Sequence, residues 1–141
     1  LTAGADRLEV TFSVPALAQV PVLVIDDNAD TIRLFRRYLQ ETRYSVVSAL
    51  HPADIERQIA RHQPRIIILD VMMPEVDGWE LLVRLRQHTD THAAAILICS
   101  ILPLENLALL LGANGFLQKP VLPQELLSRL DEQLAQLADE F

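Results

Sequence analysis

At 141 residues, half of them hydrophobic, the chain has the size of one domain and enough apolar side chain for a packed core, which excludes a disordered polymer. A net charge of -7 argues against a nucleic-acid surface, because binding a phosphate backbone takes clustered Lys and Arg. The longest nearly apolar stretch, Ala93 to Leu104, is broken by Ser100 and Pro103 and falls far short of the roughly 20 residues of a membrane span.

Residues 1 to 19 hold an alternating run, Leu8 to Val14, between the turn cues around Gly4 and Pro15; period-two alternation makes it a strand candidate. This segment is expected to be a linker or the end of a preceding domain. No secretory signal opens the chain, and its start at Leu1 instead of Met points to a piece of something longer. From residue 20 to 141 a single further domain is expected. Val22 to Ile25 reads as a buried strand ending in Asp26-Asp27, and Thr31 to Glu41 as a helix with Ile32, Phe35 and Leu39 on one face and Asn28 or Asp30 as cap. Ser45 to Leu50 reads as a second strand, followed by a helix from Pro52 towards Gln63.

Ile66 to Leu69 is a short β-branched and aliphatic run without polar alternation, the signature of a strand buried on both faces, and it ends in Asp70. A loop with Pro74 and Asp77-Gly78 leads to a helix from Trp79 to about His88. Ala95 to Ser100 is the fourth strand, Leu104 to Leu111 a short helix and Gly115 to Gln118 the fifth strand, closed by Lys119-Pro120. Pro123 opens the last helix, whose Leu127, Leu130, Leu134 and Leu137 suit core packing or a helical partner and leave a homodimer open. Repeated β-α units with short connections make a doubly wound α/β domain with a parallel sheet.

In such sheets chemistry gathers beyond the carboxyl ends of the strands. Asp26, Asp27, Asp70, Ser100 and Lys119 all follow or end strands there. If the first and third strands are adjacent, three carboxylates converge, and at roughly 5 Å and an effective dielectric near 20 each like-charge pair costs about 3 kcal/mol. A divalent cation offsets this, and oxygen-only ligands suit Mg²⁺ or Mn²⁺. A calcium loop begun by Asp26, Asn28 and Asp30 fails, because Thr31 and Arg37 stand where Gly and the bidentate Glu belong. His88 and His92 are separated by a loop-like Thr89-Asp90-Thr91 and are expected to be solvated; the lone Cys99 is expected to be a buried strand residue and suits a reducing cytoplasm.

Over residues 20 to 138 these motifs together resemble the receiver domains of two-component response regulators: Asp26-Asp27, Asp70 with Met73-Pro74 and Asp77-Gly78, Ser100, and Gly112-Ala113 leading to Phe116 and Lys119-Pro120. The resemblance implies a flavodoxin-like fold with five helices and a five-stranded sheet in the order 2-1-3-4-5. It implies that Asp70 accepts a phosphoryl group from a phosphohistidine on a histidine kinase or a histidine phosphotransfer domain. Asp27 and Asp70 would bind the metal directly, Asp26 through water and Met72 through its backbone carbonyl. Lys119 and Ser100 would each hold a phosphoryl oxygen, Ser100 would be drawn towards that group, and Phe116 would turn inward behind it. Lys119-Pro120 resembles the family's cis peptide. Residues 8 to 14 also resemble the last strand of a histidine-kinase ATP-binding domain, which would make the parent a hybrid sensor kinase.

The chain departs from the receiver pattern in its output region. Between Ser100 and Lys119 it is about one helical turn short, Pro103 sits in the loop that moves, and Ile101 replaces the usual small residue after the hydroxyl. Leu107, Leu109, Leu110 and Leu111 are expected to be core. Two other functions compete with phosphoacceptance: a phosphorylation-independent docking module using the short fourth helix, and a phosphate-ester hydrolase with Glu75 as its second acid.

Overall fold

The computed structural model describes residues 19–139, so the strand expected over residues 8 to 14 lies outside the described residues. The elements are β1 (Val20–Ile25), α1 (Ala29–Tyr38), β2 (Tyr44–Ala49), α2 (Pro52–His62), β3 (Ile66–Leu69), α3 (Gly78–Gln87), β4 (Ala95–Ser100), α4 (Glu105–Leu110), β5 (Gly115–Gln118) and α5 (Pro123–Asp139). The strands are parallel in the order β2-β1-β3-β4-β5, as the resemblance implies.

Period-two alternation divides the core. Leu23, Ile25, Ile67, Leu69, Ile96 and Ile98 face α2, α3 and α4, while Val22, Val24, Ile66, Ile68, Leu97 and Cys99 face α1 and α5. Both sets are buried, which is why these strands carry no polar alternation. At the edge, β2 turns the carbonyls of Val46 and Ser48 away from β1, and side chains of neighbouring helices cover them: Arg36 donates to Val46 at 3.4 Å and Gln58 to Ser48 at 2.8 Å.

Helix bounds shift by one to three residues from the sequence expectations, and the caps explain where they start and stop. Asn28 caps α1 by accepting the Asp30 N–H, so the helix starts at Ala29, two residues before the expected Thr31. Gln63, in the left-handed region at φ 46, ends α2. Asp77 accepts the Trp79 and Glu80 N–H groups, so α3 begins at Gly78.

Two faces differ from expectation. On α5 the buried line is Leu126, Leu130, Gln133 and Leu137, with Leu127 and Leu134 at its margin, so the leucine spacing marked the flank of the buried stripe. On α4 the expected core leucines face outward: Leu107, Leu109 and Leu110 are exposed, Leu110 by 81%, and only Ala108 is fully buried. At 100° per residue four leucines in five positions cannot all face a sheet, and the small Ala108 brings the helix close, with Leu104 and Leu111 beside it. No described helix is long and apolar enough to cross a membrane.

Candidate functional site

The register builds the site. Ile25 pairs with Leu69, and the Asp70 N–H donates to the Ile25 carbonyl at 2.9 Å, so the residues after these two strands, Asp26 and Asp70, stand side by side. Likewise Ser100 pairs with Gln118, and the Lys119 N–H donates to the Ser100 carbonyl at 2.8 Å. One carboxylate oxygen from each of Asp26, Asp27 and Asp70 lies within 4.8 Å of the others. Asp26 and Asp70 are buried and Asp27 is exposed at the mouth.

Local hydrogen bonds aim these carboxylates. Asp26 Oδ1 accepts the Asn28 N–H and Asp70 Oδ1 accepts the Met72 N–H, each at 2.9 Å, leaving the other oxygen of each group free to face the cluster. Lys119 reaches in between them, with Nζ 3.0 Å from Asp26 Oδ2 and 3.7 Å from Asp70 Oδ2. Burial pushes the Asp70 carboxyl above the ordinary carboxylate range, and Asp26 and Asp27 add to the rise, while the Met72 N–H and Lys119 oppose it. For Lys119 burial acts downward, but the hydrogen bond to Asp26 and the charges of Asp26 and Asp70 outweigh it and hold the ammonium above its usual value.

The donor set is oxygen-only, acidic and without His or Cys, which fits a hard divalent cation such as Mg²⁺. Among the described residues this is the one group of three or more acidic, His or Cys side chains close enough to share an ion. Thr89 to Thr91 form a turn between His88 and His92, whose rings face different partners: His88 Nδ1 accepts the Asp90 N–H and His92 Nδ1 lies 3.0 Å from the Thr89 carbonyl. Glu75 stands outside the cluster, exposed and 4.0 Å from His51.

Ser100 is fully buried, its Oγ accepting the Leu102 N–H at 3.1 Å, which leaves its proton to donate. Phe116 is buried in the core cluster that contains Ala108. The Lys119-Pro120 peptide is cis. Gly78 explains the Asp77-Gly78 pair, since a Cβ there would lie 2.3 Å from Val71 Cα: only glycine lets α3 start this close to the loop after Asp70. Met72, two residues after Asp70, and Ile101 and Leu102, just after Ser100, are exposed.

No sequence motif marks Arg86, which fastens the far end of α4. Its guanidinium donates to the Gly112 carbonyl at 2.6 Å and to the Ala94 carbonyl at 2.5 Å, and also to Asn114 Oδ1. Nothing but an arginine at the end of an amphipathic helix shows at the sequence level. Gly112, at φ 109, makes the turn that presents that carbonyl.

Residues 22–131 match the model of the response regulator receiver domain family. The chain is 31% identical over 116 residues to response regulator GtcR of Aneurinibacillus migulanus, covering 80% of this chain and 47% of that protein. It is 35% identical over 114 residues to an uncharacterized 14.6 kDa protein of Leptolyngbya boryana, covering 79% of this chain and 87% of that one. The chain spans about half the length of several of the curated relatives it matches. Among solved structures, a CheY-like receiver domain protein of Methanospirillum hungatei superposes with a TM-score of 0.78 at 23% identity, over 87% of this chain and 99% of that one. The chemotaxis protein CheY4 of Vibrio cholerae superposes with a TM-score of 0.74 at 27% identity, over 82% of this chain and 99% of that one. With the family model, the sheet order and the acidic strand ends in agreement, the chain belongs to the response regulator receiver domain family of two-component signalling.

Proposed function

We propose that Asp70 is the phosphoacceptor, and that the chain takes its phosphoryl group from a phosphohistidine on a histidine kinase or histidine phosphotransfer domain. The observation that carries this reading is the Asp26, Asp27 and Asp70 cluster with Lys119 reaching into it, since three mutually repelling carboxylates serve no purpose in a packing role. An Asp70 oxygen attacks phosphorus, the new P–O bond forms as the donor's P–N bond breaks, and the imidazole leaves with the electron pair. Transfer of this kind needs positioning and charge neutralisation more than covalent help.

Asp26, Asp27 and Asp70, with the Met72 carbonyl, would hold Mg²⁺ or Mn²⁺. The cation supplies positive charge to phosphoryl oxygens that repel the carboxylates. Lys119 would neutralise another oxygen as a compact cation on a flexible stem, and the Ser100 proton would be donated to a third. A shallow groove of about 360 Å³ beside Lys119, lined by Leu34, Tyr38, Ile101 and Val121 among others, offers the donor an apolar approach. Two charge-assisted hydrogen bonds at roughly 1.5 to 3 kcal/mol each are of the size needed to turn a minority conformation into the majority. A buried, unpaired Cys99 agrees with a cytoplasmic setting.

The exposed Leu107, Leu109 and Leu110 favour a second reading, docking that needs no phosphorylation, either to a partner or to a second copy of the chain. Incubation with a small-molecule phosphodonor and Mg²⁺ separates the two. The first reading predicts one added phosphoryl group, located on Asp70 by mass spectrometry and absent from Asp70→Asn; the second predicts none.

A further inference from the structure

Ser100 can serve a phosphoryl group on Asp70 only if its hydroxyl is held at the right angle, and the backbone that holds it is the loop from Ile101 to Leu104. Leu102 donates its N–H to Ser100 Oγ, which occupies one lone pair and restricts where the proton can point. That loop carries the exposed side chains of Ile101 and Leu102, so little packing fixes it. One side chain from the neighbouring strand does reach it. Gln118 Nε2 donates to the Ile101 carbonyl at 2.6 Å. Gln118 is the register partner of Ser100, so its amide crosses from β5 to the residue just beyond the one it faces.

The other possible sources of movement are tied down. Arg86 fastens the Gly112 turn at the far end of α4, and Phe116 is packed in the core. We propose that Gln118 is a positioning residue for Ser100: by pinning the Ile101 carbonyl it keeps the Leu102 N–H on Ser100 Oγ and pre-orders the hydroxyl for the phosphoryl group on Asp70. Ordering done before binding is ordering that binding does not have to do, so the restraint acts on affinity for the phosphoryl group and leaves affinity for the metal alone. The proposal rests on Asp70 being the phosphoacceptor.

The test compares the native chain with Gln118→Met, which keeps the length and loses the donor. Hydrogen exchange at the Leu102 amide, followed by NMR in the absence of metal, is expected to quicken about three- to tenfold, the range of one lost hydrogen bond. The half-saturation concentration for beryllofluoride in Mg²⁺ is expected to rise by a similar factor, while Mg²⁺ affinity and the thermal midpoint stay put. Gln118→Glu, of the same shape with no donor, must also quicken Leu102 exchange. Unchanged Leu102 exchange overturns the proposal, as does beryllofluoride binding that is equal or tighter in Gln118→Met. Failure of the native chain to bind beryllofluoride sinks the phosphoacceptor reading instead, and the metal-free exchange measurement still decides whether Gln118 restrains the loop.

Discussion

Lys119 Nζ lies 3.0 Å from Asp26 Oδ2, and only then, at 3.7 Å, from Asp70. The lysine thus pairs first with a carboxylate of the proposed metal site and only second with the proposed phosphoacceptor. It serves as the internal counter-charge of a buried acidic cluster. Arrival of a divalent ion would release the ammonium from Asp26 and make it available to a phosphoryl oxygen.

Removing that counter-charge gives the first prediction. Lys119→Met leaves the buried Asp26 without its partner beside Asp70, and stability without metal should fall by about 3 kcal/mol. Mg²⁺ should recover most of the loss and bind more tightly than in the native chain, because no ammonium competes for the carboxylates. Denaturant melts with and without Mg²⁺ check both effects.

Asp70 is held above the ordinary carboxylate range mainly by burial, so its ionised form destabilises the fold. The sign follows: below about pH 4 the group is protonated in both folded and unfolded chains and no cost arises. As pH rises through the elevated folded value, the native chain loses stability relative to Asp70→Asn. At neutral pH Asp70→Asn should be the more stable of the two, and the gap should close towards pH 4. Thermal melts across that range, without metal, provide the comparison.

Ile101 stands exposed at the rim of the site, after the Ser100 hydroxyl. On the proposed role of Asp70, this side chain would narrow the approach of water to the phosphoryl group, so Ile101→Ala should shorten the lifetime of the phosphorylated form severalfold. Loss of label after removal of the donor measures it, and an unchanged rate would show that the side chain does not shield.

The outward leucines of α4 are checked by stability alone. Leu110→Gln, at an 81% exposed position, should change unfolding free energy by less than about 0.5 kcal/mol. Ala108→Leu, at a fully buried one, should cost about 1 to 3 kcal/mol through overpacking.

Much of this architecture was legible in the sequence because four of the five strands, β1, β3, β4 and β5, are short, largely apolar and closed by a charged or hydroxyl residue. Asp26, Asp70, Ser100 and Lys119 could be brought to one edge from chain order and the parallel-sheet rule. The α4 and α5 faces were not legible in the same way. Leucines at helical spacing report that a helix has an apolar side, whereas Ala108 and Leu126 show that the buried line is set by how close the sheet lies. Side-chain pairings across the sequence were also beyond reach. Lys119 with Asp26, Arg86 with Gly112 and Gln118 with Ile101 depend on rotamers and loop paths that no periodicity encodes.

The most direct test of Asp70 as phosphoacceptor is Mg²⁺-dependent binding of beryllofluoride, followed by the fluorescence of Trp79, the lone tryptophan, near the start of α3. Saturable quenching that requires Mg²⁺ and is absent from Asp70→Asn is the predicted result. A folded, Mg²⁺-binding native chain whose fluorescence and stability do not respond to beryllofluoride would contradict it.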